Sequence, residues 1–240
     1  MNLDYVIMGS DMNPMYLDFW PIVSKVWKEK FNITPILGLI CDEDSELYSD
    51  NYGLIKKFKK IDGIDLGLQS QIVRLYLPKF LNGKCLISDI DMLPLSVEYF
   101  KNNSSGLNDD NVIVYSSDNP ECLGGKMYPM CYISAHSKLF IEIFSLNDEW
   151  DVFLKKNNDR KEGWYTDQKL IFERINEHHS KNNNCVFLKR GWNGPANKRI
   201  DRINWVYDNN KVREGHYIDS HLLRPYNKYK NEIDKLVNLL

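Results

Sequence analysis

Two apolar runs joined by one helical stripe open this chain, and they constrain its fold more than anything that follows. Tyr5-Val6-Ile7-Met8 is β-rich and ends in Gly9-Ser10. Asn13-Pro14 comes next, an N-capping side chain followed by a proline suited to a first helical turn. Tyr16, Phe19, Trp20, Val23 and Trp27 then recur at helical spacing, and Pro21 within them predicts a kink or a later helix start. Residues 33–40 are apolar again. Strand, helix and strand in that order are the unit of a parallel sheet.

The alternation continues along the chain. Residues 42–50 read as a solvated polar loop and 61–64 as a short edge strand. A helix is predicted over 69–81, capped by Ser70, with Ile72, Val73, Tyr76 and Phe80 facing the core and Arg74 on the opposite side. Pro78 and Gly83 close it. Residues 84–91 form a strand, 97–100 a short helix and 101–111 a flexible polar loop. Strands follow at 112–115, 130–134 and 185–188, with Gly124-Gly125 allowing a tight turn between the first two. Helices follow at 137–144 and from Thr166, which caps a stripe of Leu170, Ile171 and Ile175. A basic loop at 189–202 and a last strand and turn at 215–226 come next. An amphipathic helix through Ile233, Leu236, Val237 and Leu240 follows them. The expected fold class is α/β: one Rossmann-like domain, with a mostly parallel, twisted sheet flanked by helices. Ligands in such folds bind at the carboxyl ends of the strands.

At 240 residues the chain is long enough to bury one large core. Its formal net charge of -2 lacks the basic footprint of a general nucleic-acid binder. No apolar run approaches the ~20 residues of a membrane span, and no basic region precedes the first apolar segment as in a secretory signal. Of the five cysteines, Cys85, Cys131 and Cys185 sit in apolar strand-like runs, while Cys41 and Cys122 add no paired metal-ligand spacing. Buried reduced thiols are the expectation. These features predict a cytoplasmic protein, with peripheral membrane attachment and oligomeric state left open.

The chemistry is concentrated where residues 84–94 run from an apolar strand into Asp89-Ile90-Asp91. Side chains on an extended backbone alternate faces, so the two acids are expected to point the same way and Ile90 back into the core. Pro94 stops the strand from continuing as a central ladder. Neighbouring carboxylates repel unless a cation lies between them, which makes Asp89 and Asp91 candidate ligands of a divalent metal. The competing reading is a strand exit with two solvated acids.

The block Gln71-Ile72-Val73-Arg74-Leu75-Tyr76-Leu77-Pro78, followed by Lys84-Cys85-Leu86-Ile87-Ser88-Asp89-Ile90-Asp91, resembles GT-A nucleotide-sugar glycosyltransferases. The pattern is that of the glycogenin and lipopolysaccharide galactosyltransferase family, in which an Arg-bearing helix precedes a strand and an Asp-x-Asp. The resemblance extends to Asp167-Gln168 opening a helix, and to a C-terminal His before a basic-Pro-aromatic triplet, here Arg224-Pro225-Tyr226. The chain departs from that pattern at Met130-Cys131-Tyr132-Ile133-Ser134-Ala135, where the family has an Asn-x-Gly turn. It departs again at Lys169, where another acid is common, and in the short spacing from His221 to the triplet. The resemblance implies a single GT-A domain over 1–240, with a nucleotide-sugar-binding half at 1–115 and an acceptor-binding half with a C-terminal helix at 116–240. It also implies retention of anomeric configuration, with Gln168 or Asp167 on the back face of the sugar. An Asp167 reaching the acceptor hydroxyl would instead be the general base of an inverting reaction.

Transfer from a sugar nucleotide requires stabilising the departing diphosphate, and a hard divalent cation held by carboxylate oxygens does this as a Lewis acid. The expected cofactor is Mn²⁺ or Mg²⁺ on Asp89, Asp91 and an imidazole, His221 first and His216 second. Arg74 neutralises the acidic pair or binds donor phosphate, and Lys198 and Arg199 clamp the diphosphate. Gly9 and Ser10 border the base and ribose, and Ser88 joins the donor-binding set. The expected donor is a UDP-sugar and the acceptor a glycan or other hydroxyl. Several of these residues have plainer readings. Trp164 and Trp192 suit either sugar stacking or core packing, Asp167 can simply complement a helix dipole, and His178-His179 reads as solvated. Two other functions fit parts of the pattern. One is a nucleotidyltransferase acting on a sugar phosphate, whose Gly-rich basic signature Gly9-Ser10-Asp11-Met12 lacks. The other is a catalytically inactive sugar-nucleotide or glycan-binding module.

Overall fold

The opening βαβ unit forms as its pattern requires. In the computed structural model, which describes residues 3–105, 108–118, 126–190 and 198–240, β1 (Tyr5–Asp11) leads into a short helix, Pro14–Leu17. Its N-cap Asn13 accepts from Met15 N at 3.0 Å. A second helix, Trp20–Phe31, carries Pro21 in its first turn, which realises the later start. β2 (Thr34–Cys41) then returns parallel to β1.

The other strands are β3 (Tyr48–Ser49), β4 (Leu54–Lys59), β5 (Lys84–Ile87), β6 (Met92–Pro94), β7 (Val112–Val114), β8 (Ile133–His136), β9 (Cys185–Phe187), β10 (Arg199–Ile200) and β11 (Asp219–His221). Among the described residues, eight strands form one sheet in the order β3-β4-β2-β1-β5-β8-β7-β9, and β10-β11-β6 form a smaller one. The run β4-β2-β1-β5 is parallel throughout, whereas β8 is antiparallel to both β5 and β7. Pro94 ends β6 at the edge of the small sheet, as a residue without a ladder donor must. The fold is the expected α/β one.

Alternate residues of the central strands feed two cores. Ile7, Ile36 and Ile40 face a layer containing Ile72, Val73 and Tyr76. Val6, Met8, Leu37 and Leu39 face Trp20, Val23 and Trp27, together with Ile233 and Leu236 of the terminal helix Tyr226–Val237.

Several elements differ from the sequence reading. The edge region pairs through β4 rather than 61–64, and Lys56, Lys57 and Lys59 hide its strand character. Residues 61–64 instead form a turn stapled by the Gln69 amide, which bonds Ile61 and Ile64 at 2.9–3.0 Å. The following helix is Leu66–Tyr76, capped by Asp65 accepting from Leu68 N at 2.9 Å. Ser70 is no cap, because its hydroxyl donates back to Leu66 O. A 3-10 turn, Leu77–Phe80, accommodates Pro78. The 97–100 helix extends to Ser104, and helices at Trp150–Asn158 and Asn209–Arg213 carry too weak an apolar stripe to be read in advance. Thr166 is the first residue of the Thr166–Asn182 helix rather than its cap, and its hydroxyl donates to Gly163 O. His178 is buried, not solvated. Cys41, Cys85, Cys131 and Cys185 are free thiols, Cys85 and Cys131 buried as expected. Gly124-Gly125, Cys122 and Trp192 lie outside the described residues. No helix among those residues is long and apolar enough to cross a membrane.

Candidate functional site

The site is built on the close approach of one helix to β1. A Cβ at Gly9 would lie 2.2 Å from Ser70 O and 2.9 Å from Arg74 Cγ, so only glycine lets Leu66–Tyr76 lie this near the strand. Arg74 is therefore 5% exposed, not on the outer helical face where the sequence reading put it. Its Nη1 donates to Ser88 O at 3.4 Å and pairs with Asp89, and its Nη2 donates to Asp167 Oδ2 at 2.7 Å. One guanidinium thus ties the end of β5 to the first turn of Thr166–Asn182. There Asp167 Oδ1 also accepts from Gln168 N at 2.8 Å.

The two acids meet in one cleft, though not by strand alternation. β5 ends at Ile87, and residues 89–91 form a turn in which Met92 N donates to Asp89 O at 3.2 Å. Ile90 is buried as expected. Antiparallel pairing of β6 with β11 sets His221 opposite Met92, and Leu222 N donates to Asp91 O at 3.0 Å. Asp91 Oδ2 consequently faces Arg202 Nη2 at 2.7 Å, His221 Nε2 at 3.7 Å and Arg224 Nη1 at 3.8 Å. Arg202 Nε and Nη1 are buried and have no partner among the described residues. Arg224 also donates to the Tyr16 hydroxyl at 2.5 Å.

Behind this wall, Asp219 is fully buried and accepts from both Nη atoms of Arg190 (2.8 and 2.6 Å) and from Arg199 Nε at 2.9 Å. Burial disfavours its charge, but the two guanidiniums outweigh that and hold its carboxyl well below the usual range. Burial likewise opposes the charge of Asp89, and Arg74 overcomes it. At Asp167 burial wins: despite Arg74, and with the Asp89 charge adding to the rise, its carboxyl is pushed up to about 6. Burial lowers His221 below its ordinary value, Asp91 opposing and Arg202 reinforcing, which favours its uncharged form.

The Asp167 shift has a direct readout. Carboxyl-carbon NMR of metal-free protein should show one aspartate titrating near pH 6 and missing from the Asp167→Asn variant. The sign follows from the raised value. Between about pH 4, where an unfolded aspartate titrates, and about 6, the folded state binds the extra proton. This group therefore weakens the fold above that window and ceases to do so as pH falls through it. No aspartate titrating above pH 5 would contradict the burial described.

Gly9, Ser10, Arg74, Asp89, Asp91, Asp167, Gln168 and His221 all line one cleft of about 730 Å³. Ser88, Lys198 and His216 do not. Ser88 is buried behind the turn, its hydroxyl on Asp89 O at 3.1 Å. Lys198 contributes a carbonyl to Ile218 N at 2.7 Å, and His216 packs on Tyr217. The cations that do line the cleft, besides Arg74, are Arg199, Arg202 and Arg224. Arg202 is the residue sequence reasoning passed over, since a basic loop gives no hint of which charge turns inward.

No family model and no curated protein matches this sequence. Solved structures do. The galactosyltransferase LgtC, crystallised in complex with donor and acceptor sugar analogs, is 13% identical over 99% of this chain and 96% of its own, with a TM-score of 0.51. The apo form of the bifunctional glycosyltransferase WbbM is 12% identical over 98% of this chain and 49% of its own, at 0.50. Apo GlyE of Streptococcus pneumoniae TIGR4 is 11% identical over 99% and 62%, also at 0.50. The chain has the fold of these glycosyltransferases. It spans about half the length of WbbM and nearly all of LgtC.

Within this GT-A-like glycosyltransferase fold, the donor atoms can be tested against a metal. Two carboxylates and an imidazole in one cleft fit a divalent ion such as Mn²⁺ in kind. In arrangement, each carboxylate carries a guanidinium. Among the described residues no three acid, His or Cys side chains stand close enough together to hold an ion. A cation at these carboxylates would compete with Arg74 at Asp89 and with Arg202 at Asp91.

Proposed function

We propose that this protein is a metal-dependent glycosyltransferase that moves a sugar from a nucleoside diphosphate donor, a UDP-sugar, to a hydroxyl of a glycan or other acceptor, with retention. One observation carries the reading: Asp89, Asp91 and His221 share a cleft with Arg202 and Arg224, beside the carboxyl ends of parallel strands. A cleft of about 730 Å³ is in the size range of small-molecule sites. The complex of LgtC with donor and acceptor analogs, on the same fold, supports two substrates here.

In this reading Gly9 and Ser10 border the base and ribose. Arg202, with two donors already unpartnered, and Arg224 bind diphosphate oxygens as fixed forks. Asp89, Asp91 and His221 would hold Mn²⁺ or Mg²⁺, which would supply positive charge against the leaving diphosphate. Arg74 fixes Asp89 and Asp167 relative to one another, so that Asp167 and Gln168 face the sugar from a rigid base. In retention the acceptor oxygen joins the anomeric carbon on the face that the diphosphate leaves.

Incubation with Mn²⁺ and a panel of UDP- and GDP-sugars tests this. The expected result is slow donor hydrolysis, a Mn²⁺-dependent thermal shift with UDP, and a transferred sugar whose anomer, read by NMR, matches the donor. Pyrophosphate release from a nucleoside triphosphate and a sugar phosphate would instead identify a nucleotidyltransferase. Absence of both hydrolysis and thermal shift with every nucleoside diphosphate would end the enzymatic reading.

A further inference from the structure

We propose that Trp164, with Gln71 and Asp65, forms a saccharide-stacking wall of the cleft that receives a neutral sugar acceptor. The proposal rests on the glycosyltransferase reading and names its acceptor side. Trp164 lines the cleft and is 57% exposed, so core packing does not account for it. Its ring lies over the first turn of the Leu66–Tyr76 helix, where a Cβ at Gly67 would sit 3.7 Å from Trp164 Cζ3. Its backbone is held: it belongs to the 3-10 turn Gly163–Tyr165, and its carbonyl accepts from Gln71 Nε2 at 3.1 Å. A large apolar ring held in place yet left in solvent is a platform awaiting a flat apolar partner.

Gln71 supplies an independent sign of a ligand. It lines the cleft at 7% exposure, and its Oε1 has no partner among the described residues. A buried amide oxygen without a donor is costly, and a ligand hydroxyl relieves it. Charge then selects the ligand class. Arg74, Arg202 and Arg224 approach the Asp89 and Asp91 carboxylates and Arg199 pairs with Asp219, whereas Asp65, Leu66, Gly67, Gln71 and Trp164 supply no cation. A wall with a carboxylate, an amide oxygen and an indole rejects a diphosphate. It suits a neutral polyol, whose C–H face lies on the ring and whose hydroxyls donate to oxygen acceptors. Trp164 stands three residues before Asp167, so the same turn that carries the platform leads into the residues facing the reacting sugar.

The test uses the full chain with Mn²⁺ and UDP, probed by lactose, cellobiose, chitobiose and a Ser/Thr-containing peptide. Saturation-transfer NMR should report contact at the ring C–H protons of at least one disaccharide. Trp164→Ala should raise the Kd, and the KM in transfer, at least tenfold with kcat changed less than threefold, and Trp164→Phe should recover most of the loss. Equal binding by Trp164→Ala, preference for the peptide, or no contact with any neutral disaccharide would overturn the inference. A fall in kcat and donor hydrolysis in step with transfer would also overturn it, since that puts the ring in the donor pocket. Failure of the glycosyltransferase reading looks different: the wild-type protein binds disaccharide through Trp164 but neither binds nor hydrolyses any sugar nucleotide.

Discussion

Asp91→Asn should lower kcat/KM for sugar transfer by about 10²–10³-fold, the scale on which removal of one preorganised electrostatic group slows a charge-developing step. The substitution keeps the shape of the side chain and deletes its charge. Asp91 is buried, with Arg202 at 2.7 Å and His221 and Arg224 within 3.8 Å, so no solvent charge substitutes for it. In the proposed reading a cation would lose an anionic ligand, and in the metal-free protein Arg202 loses its carboxylate partner. Raising Mn²⁺ should therefore recover only part of the activity. Thermal unfolding of the variant separates catalysis from stability, because breaking a buried pair also costs the fold. A variant within tenfold of wild type at saturating Mn²⁺ would move the cation site away from this turn. A protein that only binds sugar nucleotides would show no turnover to lose.

Asp219→Asn should give the largest loss of stability, about 3–5 kcal/mol, because it leaves two buried guanidiniums without the carboxylate they share. For a chain of this size that corresponds to a melting temperature lower by roughly 10 °C. Asp219 lies in the middle strand of the small sheet, opposite Arg199 and two residues before His221. The loss should thus loosen the wall that carries both residues. The pH dependence has a definite sign. Asp219 titrates below its unfolded value, so its stabilisation is present above about pH 4 and lost as pH falls toward the depressed folded value. Acid unfolding should accordingly be steeper in the wild type than in the variant. A melting temperature within 2 °C of wild type would mean that this cluster is not the anchor its geometry indicates.

The parallel sheet was legible because hydrophobic periodicity in β1, the helix after it and β2 is local and strong. What local pattern misses is contact between distant segments. A helical stripe puts Arg74 outside; the missing side chain of Gly9, 65 positions earlier, lets the helix settle so close that Arg74 is buried against Asp89 and Asp167. Alternation puts Asp89 and Asp91 on one strand face; a turn does so instead, and only its pairing to β11 fixes it. Asp219 reads as an ordinary strand residue, since its partners lie 29 and 20 positions away. Trp164 shows the limit from the other side: whether an aromatic packs or waits for a ligand depends on what lies beside it.

Strand β8, from the half expected to bind acceptor, lies hydrogen-bonded between β5 and β7 of the other half. The main sheet is therefore stitched by main-chain ladders from one half to the other, and among the described residues no hinge divides it into two lobes. In the proposed reaction, shielding the reacting carbon from water would fall to segments at the rim. The time taken to cover and uncover substrate should then be that of loop motion, faster than the opening of a jaw.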